Sequence, residues 1–572
     1  MFLSHESLKS CTWQSLERNT CRVLLHANYT GIRHVGQPND GGADIIAHKA
    51  GKRWLFQVKR WNKPISLSVV DETVQALSLY RAHVPVIVAL KGFDSSVHEA
   101  QRELLSRQIP LQLWDSEKIV QIVSNFKNEY PLMADMDERK YQQDAISNIV
   151  REYQNPDKFK SLVVMATGMG KTFVAGESLR RIERNHGPKR ILFVVHTNEL
   201  VYQLEKSIWR FLKPDRETLV WNGYERPELN DIDRSDYLFC CLHSLYEHIK
   251  SGGYLPEFDL MVIDECHHIG GRMYLEIIQN LQAGEKGGPY LIGLTATPWR
   301  PDETDFEEFF GTPTVCVDMV TGLKKGFLSN VDYRMFTDNI DWDNLKNICG
   351  ENLTPKGINR TLFITEWDDA VVFALKKAWN EHENPKAIVF CGTVDHAITM
   401  RDRINALRFC NAASIFSQTA SGYKMTPFER NCVLCDFADG KIDVVCAVDI
   451  FNEGIDVPDV NVVVFQRVTH SRRIFIQQLG RGLRLSKGKE KVIVLDFVSD
   501  IRRFAAGISL KDKLSVRETP IRVELNHQVT FKKIGSDDPE AESFLREWLD
   551  DVAAVENAGD DTSILKFPPT LE

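Results

Sequence analysis

The stretch LVVMATGMGKT, residues 162–172, decides the fold, because an apolar strand runs directly into a glycine-containing loop and then into a helical pattern. Glycines in such a loop let backbone amides approach a phosphate group, and the lysine that follows can reach the β- and γ-phosphates of a nucleotide. The hydroxyl of Thr172 can then coordinate Mg²⁺. The strict pattern GxxxxGK[ST] begins with a glycine where this chain has Met165, so the loop needs support from a second motif.

That second motif is LMVIDECH, residues 260–267, in which an apolar strand ends in two carboxylates. Asp264 at a strand end can hold Mg²⁺, and the adjacent Glu265 can polarise a water molecule that attacks a phosphate. Taken alone, an acidic strand end exposed to solvent is the simpler interpretation. Together with a phosphate loop upstream, the pair predicts hydrolysis of ATP with Mg²⁺.

Short apolar strands alternate with helical segments on both sides of these motifs. The strands are predicted at residues 162–165, 191–195, 237–242, 260–263, 290–294, 387–390, 444–447, 462–465 and 492–495. Strands that are apolar on both faces and separated by helices are typical of parallel sheets covered on both sides. The sequence therefore predicts an α/β protein in which two parallel-sheet domains follow a smaller N-terminal module.

The order of the motifs resembles that of superfamily-two helicases and translocases of the DEAD/DEAH-like group, in the branch shared with type I and type III restriction motor subunits. Further motifs with family counterparts are RKYQ (139–142), HTNELVYQ (196–203), LTATPWR (294–300), IVFCGT (388–393), DIFNEGIDVP (449–458) and QQLGRGLR (477–484). The resemblance implies two RecA-like domains with ATP between them and a nucleic-acid strand across both. HTNELVYQ resembles the motif that binds the nucleic-acid backbone in this family.

The resemblance also implies roles for single residues. Nucleotide binding falls to Gln142, Thr167, Gly168, Met169, Gly170, Lys171, Thr172, Asp264, Gly454 and Asp456, with Thr172 and Asp264 also holding the metal. Catalysis falls to Glu265, Gln477, Arg481 and Arg484. The two arginines are candidate fingers, since a planar, permanently charged guanidinium can neutralise the γ-phosphate only when the domains close.

A second constellation lies in QPNDGGADIIAHKAGKRWLFQVKRW, residues 37–61. Asp44 opens one strand, and a turn at residues 49–52 leads to a second strand that ends in Gln57, Val58 and Lys59. Alternation places Gln57 and Lys59 on the same face. An acid and a lysine that converge at a hairpin end can bind Mg²⁺ and stabilise a hydroxide that attacks a phosphodiester.

This segment resembles the Mrr-like branch of the PD-(D/E)xK restriction endonucleases, in which QxK often ends the motif. LERNTCRVLLHANY (16–29) resembles the first helix of that family and implies that Glu17 joins Asp44 at the metal. Gln57 supplies no charge, so metal affinity would rest on Glu17, Asp44 and substrate phosphates. DNA contact is expected of Trp54, Trp61, Lys52, Arg53, Lys59, Arg60 and Lys63, with a solvated strand edge as the alternative.

Composition sets the remaining limits. The net charge of −9 comes from residues 536–572, which carry 2 basic and 11 acidic residues, while the rest of the chain is balanced. The twelve scattered cysteines suit reduced, buried thiols, and the CxxC of Cys432 and Cys435 suits core packing. No stretch reads as a membrane helix or secretory signal, which predicts a cytoplasmic protein with no membrane partner.

The predicted domains follow from these motifs. Residues 1–125 form a restriction-endonuclease-like domain, 126–137 a linker, 138–315 and 316–505 two RecA-like motor domains, and 506–572 an acidic C-terminal region.

The sequence predicts an ATP-dependent DNA translocase or helicase with a fused Mg²⁺-dependent endonuclease, in restriction or anti-phage defence. One alternative is a remodelling or repair helicase whose nuclease fold only binds DNA, and another is an RNA helicase. DNA, double- or single-stranded, is the expected partner. A defence-system partner protein and pairing of two chains stay open.

Overall fold

The described residues form three β-sheets that lie in two compact units. The structure, a computed structural model, describes residues 1–36, 42–131, 139–166, 169–266, 269, 271–295, 309–317, 327, 330–338, 365–416, 418–419, 422–448, 459–466, 491–497 and 525–531. The first unit holds the N-terminal sheet and the first parallel sheet, and the second unit holds the third sheet. This confirms the predicted α/β class with one small module and two parallel-sheet domains.

The N-terminal sheet is mixed and has five strands. Its strands are β1 (Thr30–His34), β2 (Ile45–Lys49), β3 (Lys52–Lys59), β4 (Val84–Ala89) and β5 (Gln112–Trp114), paired in that order. Its helices are α1 (His5–Ser10), α2 (Trp13–His26), α3 (Leu67–Tyr80), α4 (Ser95–Ser106) and α5 (Ser116–Ser124). The first three strands are antiparallel, and β3, β4 and β5 are parallel. Both residues between β2 and β3, Ala50 and Gly51, have positive φ, as a two-residue hairpin turn requires.

The second sheet has seven strands and includes the strand that ends in Asp264. The elements are α6 (Lys140–Tyr153), β6 (Lys160–Met165), α7 (Lys171–His186), β7 (Ile191–Val195), α8 (Asn198–Ile208), β8 (Thr218–Trp221), α9 (Leu229–Arg234), β9 (Tyr237–Cys241), α10 (Leu242–Lys250), β10 (Leu260–Asp264), α11 (Arg272–Leu281), β11 (Tyr290–Thr295) and β12 (Val315–Val317). The strand order is β12-β6-β11-β10-β7-β9-β8. The central strand β10 runs parallel to β7 and β11, so all three end at the same edge.

The third sheet also has seven strands. Its elements are β13 (Asn330–Asp338), α12 (Thr365–Trp379), β14 (Ala387–Phe390), α13 (Val394–Ala406), β15 (Ala412–Ile415), α14 (Pro427–Ala438), β16 (Val444–Ala447), β17 (Val462–Phe465), β18 (Lys491–Asp496) and β19 (Leu525–Phe531). The strand order is β15-β16-β14-β17-β18-β13-β19. The last strand pairs antiparallel with β13, so residues 525–531, which we placed in the acidic C-terminal region, complete an edge of this sheet.

Helix α2 joins the N-terminal sheet to the second sheet through buried arginines. Arg18 donates from Nε to Glu205 Oε2 on α8 at 2.8 Å and from Nη1 to Glu225. One turn further, the fully buried Arg22 donates from Nη2 to the carbonyl oxygens of Lys213 at 3.2 Å and Arg216 at 2.8 Å. A fully buried guanidinium needs such oxygen partners, because an unpaired buried charge is costly. We call Arg18, Arg22, Glu205 and Glu225 the joint.

The end of α2 beside the joint carries a histidine whose protonation opposes folding. The His26 ring packs against Phe2 and Phe126 with centroid distances of 5.6 Å each. Burial, together with the positive charge of Arg22, lowers the pKa of His26 to about 3. At pH values between about 3 and about 6.5, His26 is therefore protonated in the unfolded chain but neutral in the folded chain.

We therefore expect the chain to lose stability as the pH falls from about 6.5 towards 3. At pH 5, His26 lowers the free energy of unfolding by about 2 kcal/mol, because this pH lies about 1.5 units below the pKa of histidine in the unfolded chain. Thermal unfolding at pH 7 and pH 5 measures it, with His26→Phe as the variant that keeps the ring but cannot titrate. The midpoint of the variant should fall less on acidification, and an equal fall in both chains would contradict the assignment.

Other expectations about the chain concern its cysteines and membranes. Cys435 is buried on α14, as expected for core packing, but Cys432 on the same helix is only partly buried and Cys316 is exposed. The described cysteines carry free thiols. Among the described helices, none is long and apolar enough to cross a membrane.

Two candidate active sites

The first site begins where the phosphate loop meets α7. Gly170 caps this helix in the left-handed region, with φ of 90° and ψ of 40°. A Cβ at this position would lie 2.7 Å from the side-chain nitrogen Nε2 of Gln142, so only glycine fits without a shift. Gln142 itself is buried and accepts a hydrogen bond from the backbone N–H of Arg139 at 3.1 Å. Gly170 therefore lies close to the side chain that is expected to read adenine.

The acidic end of β10 faces this loop. Lys171, the first residue of α7, lies with its Nζ 3.0 Å from Oε1 of Glu265. Glu265 has a positive φ of 50° and donates its backbone N–H to Oδ1 of Asp264 at 3.0 Å. Burial disfavours the charged lysine, but the carboxylates of Glu265 and Asp264 outweigh it and raise the pKa of Lys171. The predicted phosphate-binding lysine and the predicted water-activating carboxylate are thus in direct contact.

This geometry fits a nucleoside triphosphate with Mg²⁺. The ammonium of Lys171 and the hydroxyl-bearing Thr172 stand at the N-terminus of α7, where helix dipole and amides favour anions. Asp264 ends the central strand, where it can hold a divalent cation. Neighbouring β11 ends in the buried Thr295, and its Leu294 pairs with Asp264. Because parallel strands end at one edge, the motif at 294–300 starts beside the carboxylates.

Several predicted residues of this site lie outside the described residues. They are Thr167, Gly168, Gly454, Asp456, Gln477, Arg481 and Arg484. Met169 is described and buried. The roles of these eight residues stay predictions.

The second site lies at the end of β3 in the N-terminal sheet. Ile45 pairs with Phe56, which places Asp44 beside Gln57 and Val58. The Oδ2 of Asp44 accepts the backbone N–H of Val58 at 2.6 Å, so its carboxylate turns towards the QxK segment. A Cβ on Gly36 would lie 2.9 Å from Oδ1 of Asp44, so the chain packs closely on the acid. The structure brings Asp44, Gln57 and Lys59 to one end of the hairpin.

A carboxylate that the sequence analysis missed completes this group. Glu72 on α3 accepts a hydrogen bond from Nε2 of Gln57 at 2.7 Å and lies 3.8 Å from Nζ of Lys59. Gln57 and Lys59 thus reach the same acid, which confirms that they share a face. No sequence pattern pointed to Glu72, because its partners lie 13 and 15 residues before it and on another element.

Glu17 lies on another element, helix α2, and has a different partner. It is buried on α2, and its Oε2 lies 2.5 Å from Nε2 of His34 on β1. His34 pairs with Ile45, the residue after Asp44. The hydrogen bond between Gln57 and Glu72 and the ion pair between Lys59 and Glu72 do not include Glu17. Its role at the metal stays a prediction.

The residues fit Mg²⁺ in one way only. Among the described residues, no three His, Cys, Asp or Glu side chains form a group that could hold a metal ion. Mg²⁺, however, is commonly bound by one or two carboxylates together with substrate phosphates and water. Asp44 with one further acid meets that requirement when DNA supplies the remaining oxygens.

Part of the expected DNA-contacting cluster is internal. Arg53 is buried and donates from Nη1 to the carbonyl of Tyr80 at 2.5 Å, and Trp54 packs edge-on against Tyr29 at 5.3 Å. Arg60 donates from Nε to the carbonyl of Cys11 at 2.5 Å and so anchors the N-terminal segment. The expectation was wrong for Arg53, because β3 is a central strand covered on both faces. Trp61 is exposed.

Three family models match the chain in the order that the geometry suggests. A restriction endonuclease family of the Mrr type matches residues 8–123, the family described as type III restriction enzyme, res subunit, matches 135–300, and the helicase conserved C-terminal domain matches 370–486. The first covers the sheet with Asp44 and Lys59, and the second covers the sheet with Lys171 and Glu265.

Curated relatives agree with these families. The mitochondrial helicase-family protein irc3 of Schizosaccharomyces pombe is 26% identical over 64% of this chain and 58% of its own length. The type I restriction enzyme EcoAI endonuclease subunit of Escherichia coli is 26% identical over 84% of this chain and 64% of that subunit. The DNA 3'-5' translocase XPB2 of Sulfurisphaera tokodaii is 25% identical over 66% of this chain and 86% of that protein. The chain spans about three fifths of the length of the first two relatives.

Proposed function

Because this chain joins an Mrr-type restriction endonuclease domain to the two motor domains of a superfamily-two helicase, we propose that it is an ATP-driven DNA translocase with a fused, Mg²⁺-dependent endonuclease. The observation that carries the proposal is that Asp44 and Lys59 lie in the same compact unit as Lys171 and Glu265. Within this unit, the joint ties α2 of the N-terminal domain to the first motor domain. A nuclease fixed to the first motor domain moves with it along DNA. Restriction of foreign DNA is the corresponding biological role.

The motor site supports a simple sequence of events. Without nucleotide, Lys171 neutralises Glu265 at 3.0 Å. The phosphates of ATP compete for this ammonium, and bound Mg²⁺ supplies further neutralisation of the phosphate charge. Once Lys171 turns to the phosphates, Glu265 can accept a proton from the attacking water. ATP binding thus switches on its own general base.

The nuclease site supports hydrolysis of a phosphodiester. Asp44 is held by the N–H of Val58 and would be a carboxylate ligand of the metal. The ammonium of Lys59 lies on the same side and can stabilise a hydroxide or the charge on the attacked phosphate. Mg²⁺, when bound, would activate the water and orient the phosphate. The restriction relative described as an endonuclease subunit supports this assignment, and also a partner protein for this chain.

Cleavage of supercoiled plasmid tests the proposal. We expect the full chain to cut in the presence of Mg²⁺ and ATP. Lys59→Ala should abolish cutting, a loss of at least about a hundredfold, because one electrostatic stabiliser is removed from the transition state. ATP hydrolysis stimulated by DNA should persist in this variant, since Lys59 belongs to the other site.

Lys118→Ala is the matched control, because Lys118 is an exposed lysine on α5 of the same domain and takes no part in the group around Gln57. Equal cutting by the Lys59→Ala variant would refute the nuclease assignment. DNA-stimulated ATP hydrolysis without any cutting would favour a remodelling helicase whose N-terminal fold only binds DNA. Stimulation by RNA rather than DNA would favour an RNA helicase.

A further inference from the structure

The nuclease site lacks a negative charge on β3, its central strand. Gln57 is fully buried and stands beside Asp44 at the position where a second acid would complete the metal site. An amide oxygen is a neutral ligand and contributes no Coulomb attraction to a divalent cation. The two strands therefore supply only one carboxylate, that of Asp44. Glu17 on α2, the acid that the sequence suggested, is paired with His34, so we ask which other element supplies a negative charge here.

Helix α3 presents that charge at the right place. The same oxygen of Glu72, Oε2, receives the amide of Gln57 at 2.7 Å and faces Nζ of Lys59 at 3.8 Å. The side chain of Glu72 is 47% exposed, whereas Asp44 is buried, so solvent ions and DNA can reach Glu72. A carboxylate that is both anchored and accessible can bind a cation without a large rearrangement.

The side-chain amide of Gln57 has one orientation, and in this orientation it positions the carboxylate of Glu72. The hydroxyl of Thr73, on the next position of α3, lies within hydrogen-bonding distance of Oε1 of Gln57 and of the carbonyl of Val69. An ionised carboxylate only accepts hydrogen bonds, so the amide nitrogen of Gln57 has to point to Glu72 and its oxygen to Thr73. The opposite amide orientation would place two oxygens together with no proton between them. Gln57 thus acts through Glu72.

The segment that leads into Asp44 holds Glu72 from the other side. Gly42 has a φ of +88°, and a Cβ there would lie 2.6 Å from Cγ of Glu72. The backbone only two residues before Asp44 is therefore in contact with the side chain of Glu72. This contact brings the two carboxylates to the same corner, one from the hairpin and one from α3.

We propose that Glu72 is the second metal-binding carboxylate of the nuclease site, replacing the acid that the QxK motif lacks, with Gln57 as a positioning residue. The inference rests on the proposed nuclease function. Asp44 and Glu72 give two negative charges, which with phosphate oxygens suit Mg²⁺. Lys59 then exchanges its contact with Glu72 for the attacked phosphate.

Titration with Mn²⁺, followed by electron paramagnetic resonance, tests this assignment without relying on activity. The full chain is used without nucleotide and with Asp264→Asn, which removes the metal ligand of the motor site. Adding Glu72→Gln should weaken Mn²⁺ binding at least about tenfold, since one of two carboxylate ligands is neutralised. Adding Asp71→Asn should leave binding unchanged, because Asp71 is the exposed acid one position earlier on α3.

Plasmid cleavage in the otherwise unchanged chain gives the second readout. Glu72→Gln should lose cutting and Asp71→Asn should keep it. Equal Mn²⁺ binding by the parent and the Glu72→Gln chain would overturn the role of Glu72 even if the parent cuts DNA. A parent that neither binds Mn²⁺ nor cuts would instead overturn the nuclease function and this inference with it, so the two failures are distinguishable.

Discussion

Glu265→Gln is expected to reduce ATP hydrolysis at least about a hundredfold while ATP binding persists, because a general base contributes a factor of that order or more. The amide keeps the size of the carboxylate but cannot accept the proton of water. It also frees Lys171 from its 3.0 Å contact with Glu265. The variant should therefore hold nucleotide at least as tightly as the parent. Steady-state phosphate release and binding of a fluorescent ATP analogue measure the two effects.

Lys171→Ala separates binding from chemistry at the same site. Removal of the ammonium takes away the charge that meets the phosphates, so this variant should lose nucleotide affinity as well as turnover. Glu276→Gln is the control, since Glu276 pairs with Arg272 on the exposed surface of α11 in the same domain. Parent-like turnover by Glu265→Gln would show that another group activates the water. Weak nucleotide binding by that variant would show that Glu265 holds the site together instead.

Much of the fold followed from local pattern. The predicted strands at 162–165, 191–195 and 260–263 coincide with β6, β7 and β10, because apolar β-branched runs bounded by polar turns have few alternatives. Alternation along β3 likewise placed Gln57 and Lys59 on one face. These features depend on neighbouring residues only. The contact between Lys171 and Glu265 joins residues 94 positions apart and depends instead on the topology of the sheet, because parallel strands end at one edge.

Other features depended on tertiary packing and could not be predicted. Glu72 belongs to an amphipathic helix, and nothing in its spacing distinguishes it from the neighbouring exposed Asp71. Arg53 follows Lys52 in what reads as a basic surface run, yet the position of β3 inside the sheet buries it. The ion pairs of Arg18 could not be predicted either, because its partners Glu205 and Glu225 lie 187 and 207 residues further along the chain.

The joint gives the second large effect, which concerns how the two activities are coupled. Arg18 is 13% exposed, and its partners Glu205 and Glu225 are 2% and 6% exposed. Burial opposes the charge of Arg18, but the two carboxylates outweigh it and raise its pKa. Removal of one partner from a buried ion pair costs about 3–5 kcal/mol, because the remaining charges stay buried without compensation. Arg18→Ala should therefore lower the unfolding midpoint of the full chain markedly.

Arg234→Ala is the matched control across the same boundary. Arg234 pairs with Glu6 at 3.2 Å, but these side chains are 45% and 79% exposed. Such exposed pairs contribute little to stability, so this variant should unfold close to the parent. Arg18→Lys should fall between the two, because one ammonium cannot bind both carboxylates as a guanidinium fork does. Similar unfolding of Arg18→Ala and Arg234→Ala would contradict the joint.

The joint also predicts a functional difference, because α8 starts directly after Thr197 in the motif that resembles a backbone-gripping segment. Arg18 holds Glu205 on this same helix, so the nuclease domain is tied to the part of the motor expected to hold DNA. In the Arg18→Ala chain, we expect DNA-stimulated ATP hydrolysis to continue while ATP no longer promotes cutting. Plasmid cleavage with and without ATP measures this coupling. Cutting that still requires ATP to the same extent would show that the nuclease needs no fixed position on the motor.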